Sequence, residues 1–350
     1  MRAIRGAVVA AVAGAWGLGW GCSSSSLPPE VTSPSGRLDS GTIAPTDATD
    51  AKKQDAGPER DAAEGGAEAG DAAVDAAIDS GPPPPPPVCP VGATWAPGVP
   101  LAISTGDDDF GSVTPDELTI VWTSGADGGS PTVYASDRSS TSAPFPTPTV
   151  VPVAAQAYLP GPLSVSKDGL RIVLQAPDTT FFVLSRGARG SAFDAAMTTA
   201  EFATINLEIA SAESVVLLGA PVYGQADETF YYSRGPAGGG PGGATLLEAT
   251  RTGATPWSDG VALNGSAIED AGAGRTLRPT GISADDLTLF TWDEGAGTEM
   301  MAWRPTPSGG FASAASIGPL SGAQPNAACT AIYYSAPMSS GTGLFVAQRQ

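Results

Sequence analysis

Short apolar runs separated by turn-forming residues dominate the second half of the chain, and none keeps a 3.6-residue apolar period long enough to predict a helix. The runs are rich in Val, Ile, Thr, Tyr and Phe and are bounded by Gly, Pro, Asp and Ser, the pattern of strands joined by turns. Five of them end in arginine: VYASDR at Arg138, FFVLSR at Arg186, LLEATR at Arg251, EMMAWR at Arg304 and LFVAQR at Arg349. The arginines recur every 45 to 65 residues, which marks a closed or stacked repeat.

Each arginine sits in a longer frame. A turn leads into an apolar run in TPDELTIVW from Thr114, SKDGLRIVL from Ser166, QADETFYYS from Gln225, SADDLTLFT from Ser283 and AACTAIYYS from Ala327. Four of these turns carry an aspartate (Asp116, Asp168, Asp227, Asp285), and Cys329 takes the equivalent position in the fifth. Aspartates so placed bond their own backbone and form the turn. Six or seven residues after the arginine, four units have an aromatic: Phe145, Phe193, Trp257 and Phe311. The fifth unit ends at Gln350 without one. The missing piece lies upstream, where Trp95-Ala-Pro-Gly-Val-Pro-Leu matches Trp257-Ser-Asp-Gly-Val-Ala-Leu. The N-terminal segment is therefore expected to supply the last strand of the last unit and close a ring. The arginines and aromatics are expected to pack one unit against the next.

Four strands in a unit of about 50 residues describe a propeller blade. Val165-Ser-Lys-Asp-Gly-Leu-Arg-Ile-Val173 resembles the turn and second strand of WD40-like (PD40, TolB-type) β-propeller repeats, whose next strand also ends in arginine. The resemblance spans residues 89–350 and implies an all-β, five-bladed propeller. Six blades are the alternative, because the stretch from Phe193 to Asp227 is long and Asn206-Leu-Glu-Ile-Ala210 and Val215-Val-Leu-Leu218 are candidate extra strands. What the resemblance implies is architecture, since this fold hosts many functions.

Residues 1–21 read as an export signal. Arg2 and Arg5 precede an uncharged, mostly apolar run that is short for a membrane span. Gly21-Cys22 resembles the lipobox of bacterial lipoproteins, with Gly19 where that family usually has leucine. The resemblance implies acylation of Cys22, and Ser23 behind it implies the outer membrane under the enterobacterial sorting rule. Residues 22–88 are Ser, Ala, Asp, Pro and Gly with few large apolar side chains, which predicts a disordered tether with a stiff polyproline end. Such a chain reaches on the order of 45 Å. This arrangement resembles lipoproteins of high-GC Gram-negative bacteria such as the myxobacteria, and the three lysines (Lys52, Lys53, Lys167) agree with a high-GC bias. An extracytoplasmic place at the outer membrane or cell surface is the expectation. If the N-terminal strand joins the last blade, Cys89 and Cys329 come together and an oxidising compartment lets them bond. Closing that loop stabilises by roughly 4 to 5 kcal/mol.

The chain has 36 acidic and 17 basic side chains, net −19. The tether holds 12 acidic against 4 basic, net −8, and residues 89–350 hold 24 against 11, net −13. That argues against nucleic acid and against adsorption to anionic headgroups, and fits a solvated exported monomer or one with a cationic partner.

There is no histidine, so the commonest general base, metal ligand and triad member are missing. The three cysteines leave no zinc set. The densest acidic cluster is Asp107-Asp108-Asp109. In the TolB-type frame it would sit at a channel mouth with Tyr158, Tyr223, Arg275, Arg278, Gln324 and Asn326. A mouth of carboxylates, arginines and aromatics suits a protein, peptide or glycan, and Asp107 and Asp109 are a weak calcium candidate without EF-hand spacing. A non-enzymatic binding scaffold without a cofactor is the expected function. The alternative is a hydrolase or lyase of polysaccharide using paired carboxylates.

Overall fold

Along β3 (Thr119–Ser124) and β7 (Arg171–Gln175) nearly every side chain is buried, which requires strands covered on both faces. The computed structural model describes residues 88–350 apart from 91, 126–130, 154–162, 178–179, 212–214, 218–220, 225–226, 237–243, 266–267, 269–275 and 340. The expected signal and tether, including Cys22, lie outside the described residues.

The strands form five sheets. The first blade is β2 (Asp108–Val113), β3, β4 (Thr132–Asp137) and β5 (Thr149–Val150). The second is β6 (Ser164–Val165), β7 and β8 (Phe181–Ser185). The third is β10 (Val222–Tyr223), β11 (Thr229–Pro236), β12 (Thr245–Thr250) and β13 (Val261–Ala262), with β9 (Val215–Leu217) paired to the end of β11. The fourth is β14 (Leu277–Ile282), β15 (Thr288–Asp293), β16 (Thr298–Trp303) and β17 (Ser313–Gly318). The fifth runs β18 (Ser321–Pro325), β19 (Ala331–Met338), β20 (Gly341–Gln348) and then β1 (Val99–Pro100). The first strands β2, β6, β10, β14 and β18 touch in sequence, and β18 touches β2. The fold is a five-bladed β-propeller.

The ring closes as expected. Val99 lies opposite Val346, Pro100 opposite Phe345, and Trp95 bridges Arg349. The shared Trp-x-x-Gly pattern has a steric reason. A Cβ on Gly260 would run into the Tyr232 hydroxyl, and a Cβ on Gly98 into that of Tyr334. Each glycine lets the outer strand lie against a buried tyrosine.

All five turns share one geometry. The N–H of the first turn residue bonds the carbonyl five residues on, as from Thr114 to Thr119 and from Ser166 to Arg171. The fourth residue is left-handed: Glu117, Gly169, Asp227, Asp286 and Cys329 have φ of 61°, 74°, 55°, 56° and 48°. This corrects the sequence alignment, because Asp227 and Cys329 occupy the left-handed position, one residue beyond Asp116, Asp168 and Asp285. Those three aspartates do form the turn, accepting from Thr114, Ser166 and Ser283 and from the N–H two residues on.

The arginines complete the frame. Nε of Arg138, Arg186, Arg251 and Arg304 donates to the carbonyl of the left-handed residue of the same blade at 2.6 to 2.9 Å. Their guanidinium groups lie 4.2 to 4.9 Å over Phe145, Phe193, Trp257 and Phe311. They also reach the preceding blade. Arg186 pairs with Asp137, Arg304 with Glu248 and the Tyr231 hydroxyl, and Arg138 bonds the Tyr333 hydroxyl. Arg349 departs from this scheme and donates to the Val88 carbonyl.

The long second blade holds a helix that strand propensity did not predict. Residues Ala203–Ser211 form α1, with Ile205 and Ile209 buried. Thr198 bridges Val183 of β8 through two backbone hydrogen bonds, and beyond it Asn206 supplies the pairing: its Oδ1 accepts from Phe181 N–H and its Nδ2 donates to Phe181 C=O. Asn206-Leu-Glu-Ile-Ala210 is thus helical, and β9 extends the third blade, so neither founds a sixth.

Candidate functional site

The axis of the ring is nearly filled. Two cavities along it, among the described residues, hold about 20 and 10 Å³, room for little more than a water each. Val113, Val165, Val222, Gly281, Ile282 and Pro325 line the larger one, with Ser164 and Gln324 among its polar groups. Gln324 lines both cavities and so stands at the constriction between them.

In four of the blades a polar residue of the first strand turns towards the next blade, and these side chains stitch the ring. Gln324 Oε1 accepts from Val113 N–H at 3.0 Å and from Ser112 Oγ at 3.2 Å, joining the fifth blade to the first. Ser112 Oγ accepts from Val165 N–H, and Ser164 Oγ accepts from Tyr223 N–H. Thr280 in the fourth blade donates to Ala323 C=O and to Glu299. Glu299 is fully buried, and burial pushes its carboxyl up to about 8 despite the Thr280 hydroxyl and two backbone N–H groups.

The structure divides the expected mouth residues between two ends of the ring. Asp107, Asp108, Asp109 and Arg278 lie where the first strands begin, on what we call the loop face. Tyr223, Gln324 and Asn326 lie at the opposite ends of their strands, towards the turn face. Tyr158 and Arg275 lie outside the described residues.

Asp108 is fully buried and serves its own loop. It accepts from Thr105 N–H at 2.8 Å, Gly106 N–H at 3.4 Å and Trp122 Nε1 at 2.9 Å, and from the Ser104 and Thr105 hydroxyls. Asp109 is exposed at the mouth, and Asp107 lies against Gly341 of the β19–β20 turn. Arg278 pairs with Glu294 at 2.5 Å, and no ion pair joins it to the aspartates. No group of three or more Asp, Glu, Cys or His side chains among the described residues is placed to hold a metal ion.

Tyr223 packs inward against Phe230 and Trp257 beneath the Arg171 guanidinium, and burial raises its phenol well above the usual range. Asn326 opens the fifth turn and plays the part of Ser166 and Ser283, accepting from the Thr330 and Ala331 N–H groups while donating to Glu117.

Two open features escaped the sequence reading. On the turn face Pro115, Asp116, Lys167, Asp168, Arg189, Asp227 and Ala327 surround a basin of about 390 Å³. Arg189 ties the first two blades there, pairing with Asp116 at 2.6 Å and donating to Asp168 C=O at 2.8 Å. The Asp116 carboxyl is held below the usual range; burial works against this, and the Thr114 hydroxyl and Arg189 outweigh it. On the flank between blades three and four, Glu248, Arg304, Val261, Leu263 and Pro307 border a pocket of about 220 Å³. The signal for the basin was the recurring turn aspartate, which both forms the turn and lines the mouth.

No family model matches the chain, and no curated protein matches it. Among solved structures, a GH62 hydrolase in complex with xylotriose is 10% identical with a TM-score of 0.45, over 75% of this chain and 98% of that one. TolB from Acinetobacter baumannii is 14% identical with a TM-score of 0.40, over 70% of this chain and 55% of that one. A chain of a nidogen/laminin complex is 12% identical with a TM-score of 0.38, over 65% and 71%. These likenesses are distant and bear on no activity.

Proposed function

We infer that this chain is a lipid-anchored, extracytoplasmic propeller that binds a protein, peptide or glycan at the mouths of its ring and performs no chemistry there. The observation that carries the reading is the plugged axis. A carboxylate-dependent hydrolase needs an acid and a nucleophile or base about 5 to 9.5 Å apart around a sugar. Among the described residues, those that line the two axial cavities include no carboxylate, and the space is a few per cent of a usual ligand pocket. Mixed charge at the exposed ends, with Asp107, Asp109 and Arg278 on one face and the aspartates with Lys167 and Arg189 on the other, supports recognition of a polar partner. The acylated Cys22 rests on the Gly21-Cys22 pattern and the tether-like composition behind it.

Two assays test the reading together. Purified protein incubated with xylan, arabinoxylan and β-glucan from pH 4 to 8 should release no reducing ends; release abolished by Asp109→Asn would replace binding with catalysis. Cells fed an alkyne fatty acid should label the chain and leave Cys22→Ser unlabelled, and equal labelling of both would remove the anchor.

A further inference from the structure

The segment from Val88 to Leu101 is held to the ring in two unequal ways. The closing strand is a weak attachment. Gln350 N–H donates to Thr94 C=O, Trp95 bridges Arg349, Ala96 N–H donates to Gln348 C=O, and β1 adds two paired residues before Leu101 N–H reaches Leu344 C=O. Traction on the residues before Val88 would reach these bonds one after another from the Thr94 end. That is unzipping, in which each bond bears the load alone.

Cys89 stands ahead of all of them. It is joined to Cys329 with Cα atoms 5.2 Å apart, and both residues are buried. Cys329 is the left-handed residue of the turn between β18 and β19, and β18 is wedged between β14 and β2 in the inner ring. Three hydrogen bonds seat the same point on two blades: Val88 N–H to Asp285 Oδ2 at 2.7 Å, Arg349 Nη1 to Val88 C=O at 3.1 Å, and Thr288 Oγ1 to Cys89 C=O at 3.2 Å.

We propose that the Cys89–Cys329 disulfide is a strain-relief clasp, which carries traction from the N-terminal side into the inner ring and keeps the closing strand β1 out of the load path. The ring then stays shut when the chain is pulled by its leading segment, and opens at the fifth blade when the bond is cut. Cutting is a two-electron reduction: a dithiol such as dithiothreitol attacks one sulfur, both cysteines leave as thiols, and the reagent closes to its cyclic disulfide. The clasp gives the proposed tether a sound point of attachment, but its test does not depend on lipidation or on any ligand.

Lys167 is the one lysine of residues 88–350 and is exposed on the second blade's turn, so it accepts a handle without engineering the fold. In the Lys52→Arg/Lys53→Arg chain, one handle goes on Lys167 and another is ligated enzymatically to the N-terminal segment for magnetic tweezers. The oxidised protein should show no extension step before the sheets rupture. Cys89→Ser/Cys329→Ser should show an early, low-force step of at most about 40 Å, the extended length of the 12 spans from Cys89 to Leu101. Should that variant not fold, folded molecules held at low force and given dithiothreitol must acquire the same step. The step in oxidised protein, or its absence after reduction, would overturn the proposal.

Discussion

Glu299 makes the ring lose stability as pH rises from about 5 to 8, and replacing it with glutamine should remove that loss. The carboxyl lies fully buried at the seam of blades four and five, and burial raises it from 4.5 to about 8. In the unfolded chain it ionises near 4.5, so between these values the unfolded state binds fewer protons and stability falls as pH rises. The contribution is fully present below pH 4.5 and gone above pH 8. Each pH unit in that window costs about 1.4 kcal/mol, so from pH 5 to 7.5 the loss is about 3 kcal/mol. For a domain of this size that is roughly 6 to 12 °C in Tm. Glu299→Gln keeps the shape and an acceptor for the Thr280 hydroxyl but does not titrate. Urea unfolding of both proteins at pH 5, 6, 7 and 7.5 separates this group from others that titrate, such as Asp227, whose carboxyl is also raised by burial. Wild type should lose about 3 kcal/mol more than the variant across the series. Parallel curves would refute the argument and mean that Glu299 is ionised in the folded ring or reached by water.

Three further outcomes follow from the packing. Gly260→Ala and Gly98→Ala should each cost about 1 to 3 kcal/mol in urea unfolding, because the added carbon meets the Tyr232 or Tyr334 hydroxyl, whereas Gly187→Ala, with open space at its Cβ, should change little. Arg304→Lys should lower stability by about 2 to 4 kcal/mol by calorimetry, since an ammonium cannot serve Asp286 C=O, Glu248 and the Tyr231 hydroxyl at once while lying over Phe311. Ser112→Ala should cost about 1 to 3 kcal/mol in the same assay by leaving Val165 N–H unpaired in the inner ring.

The frame was legible in the sequence because its parts act at fixed spacing. An arginine that must reach a left-handed turn residue and lie on an aromatic leaves a recurring mark, and the displaced Trp95 motif revealed the closure. The helix was hidden because an isolated Val183–Thr198 bridge and the side chain of Asn206 hold the second blade's edge in place of a fourth strand, and hydropathy carries no trace of that substitution. Asp227 was misaligned for a related reason. The third turn opens with Gly224 in place of Ser or Thr, so its aspartate marks the left-handed corner instead of capping the turn.

The site was less legible. A run of three aspartates does not say which one points inward, although strand alternation could have set Asp108 apart from its neighbours. Mouth residues were grouped by closeness to the first strand, yet Asp107 precedes its strand and Asn326 follows one, which puts them on opposite faces. The plug left a faint signal in Ser112, Ser164 and Gln324, each just before a strand-ending Val or Pro, but the seam they make is visible only with the blades side by side.

The central claim, that the segment around Cys89 closes the fifth blade, is tested most directly by mass-spectrometric disulfide mapping. The protein would be taken from the cells that make it, with thiols blocked at lysis. The account predicts a Cys89 peptide linked to the Cys329 peptide in nearly all molecules, and recovery of both cysteines as blocked free thiols would contradict it.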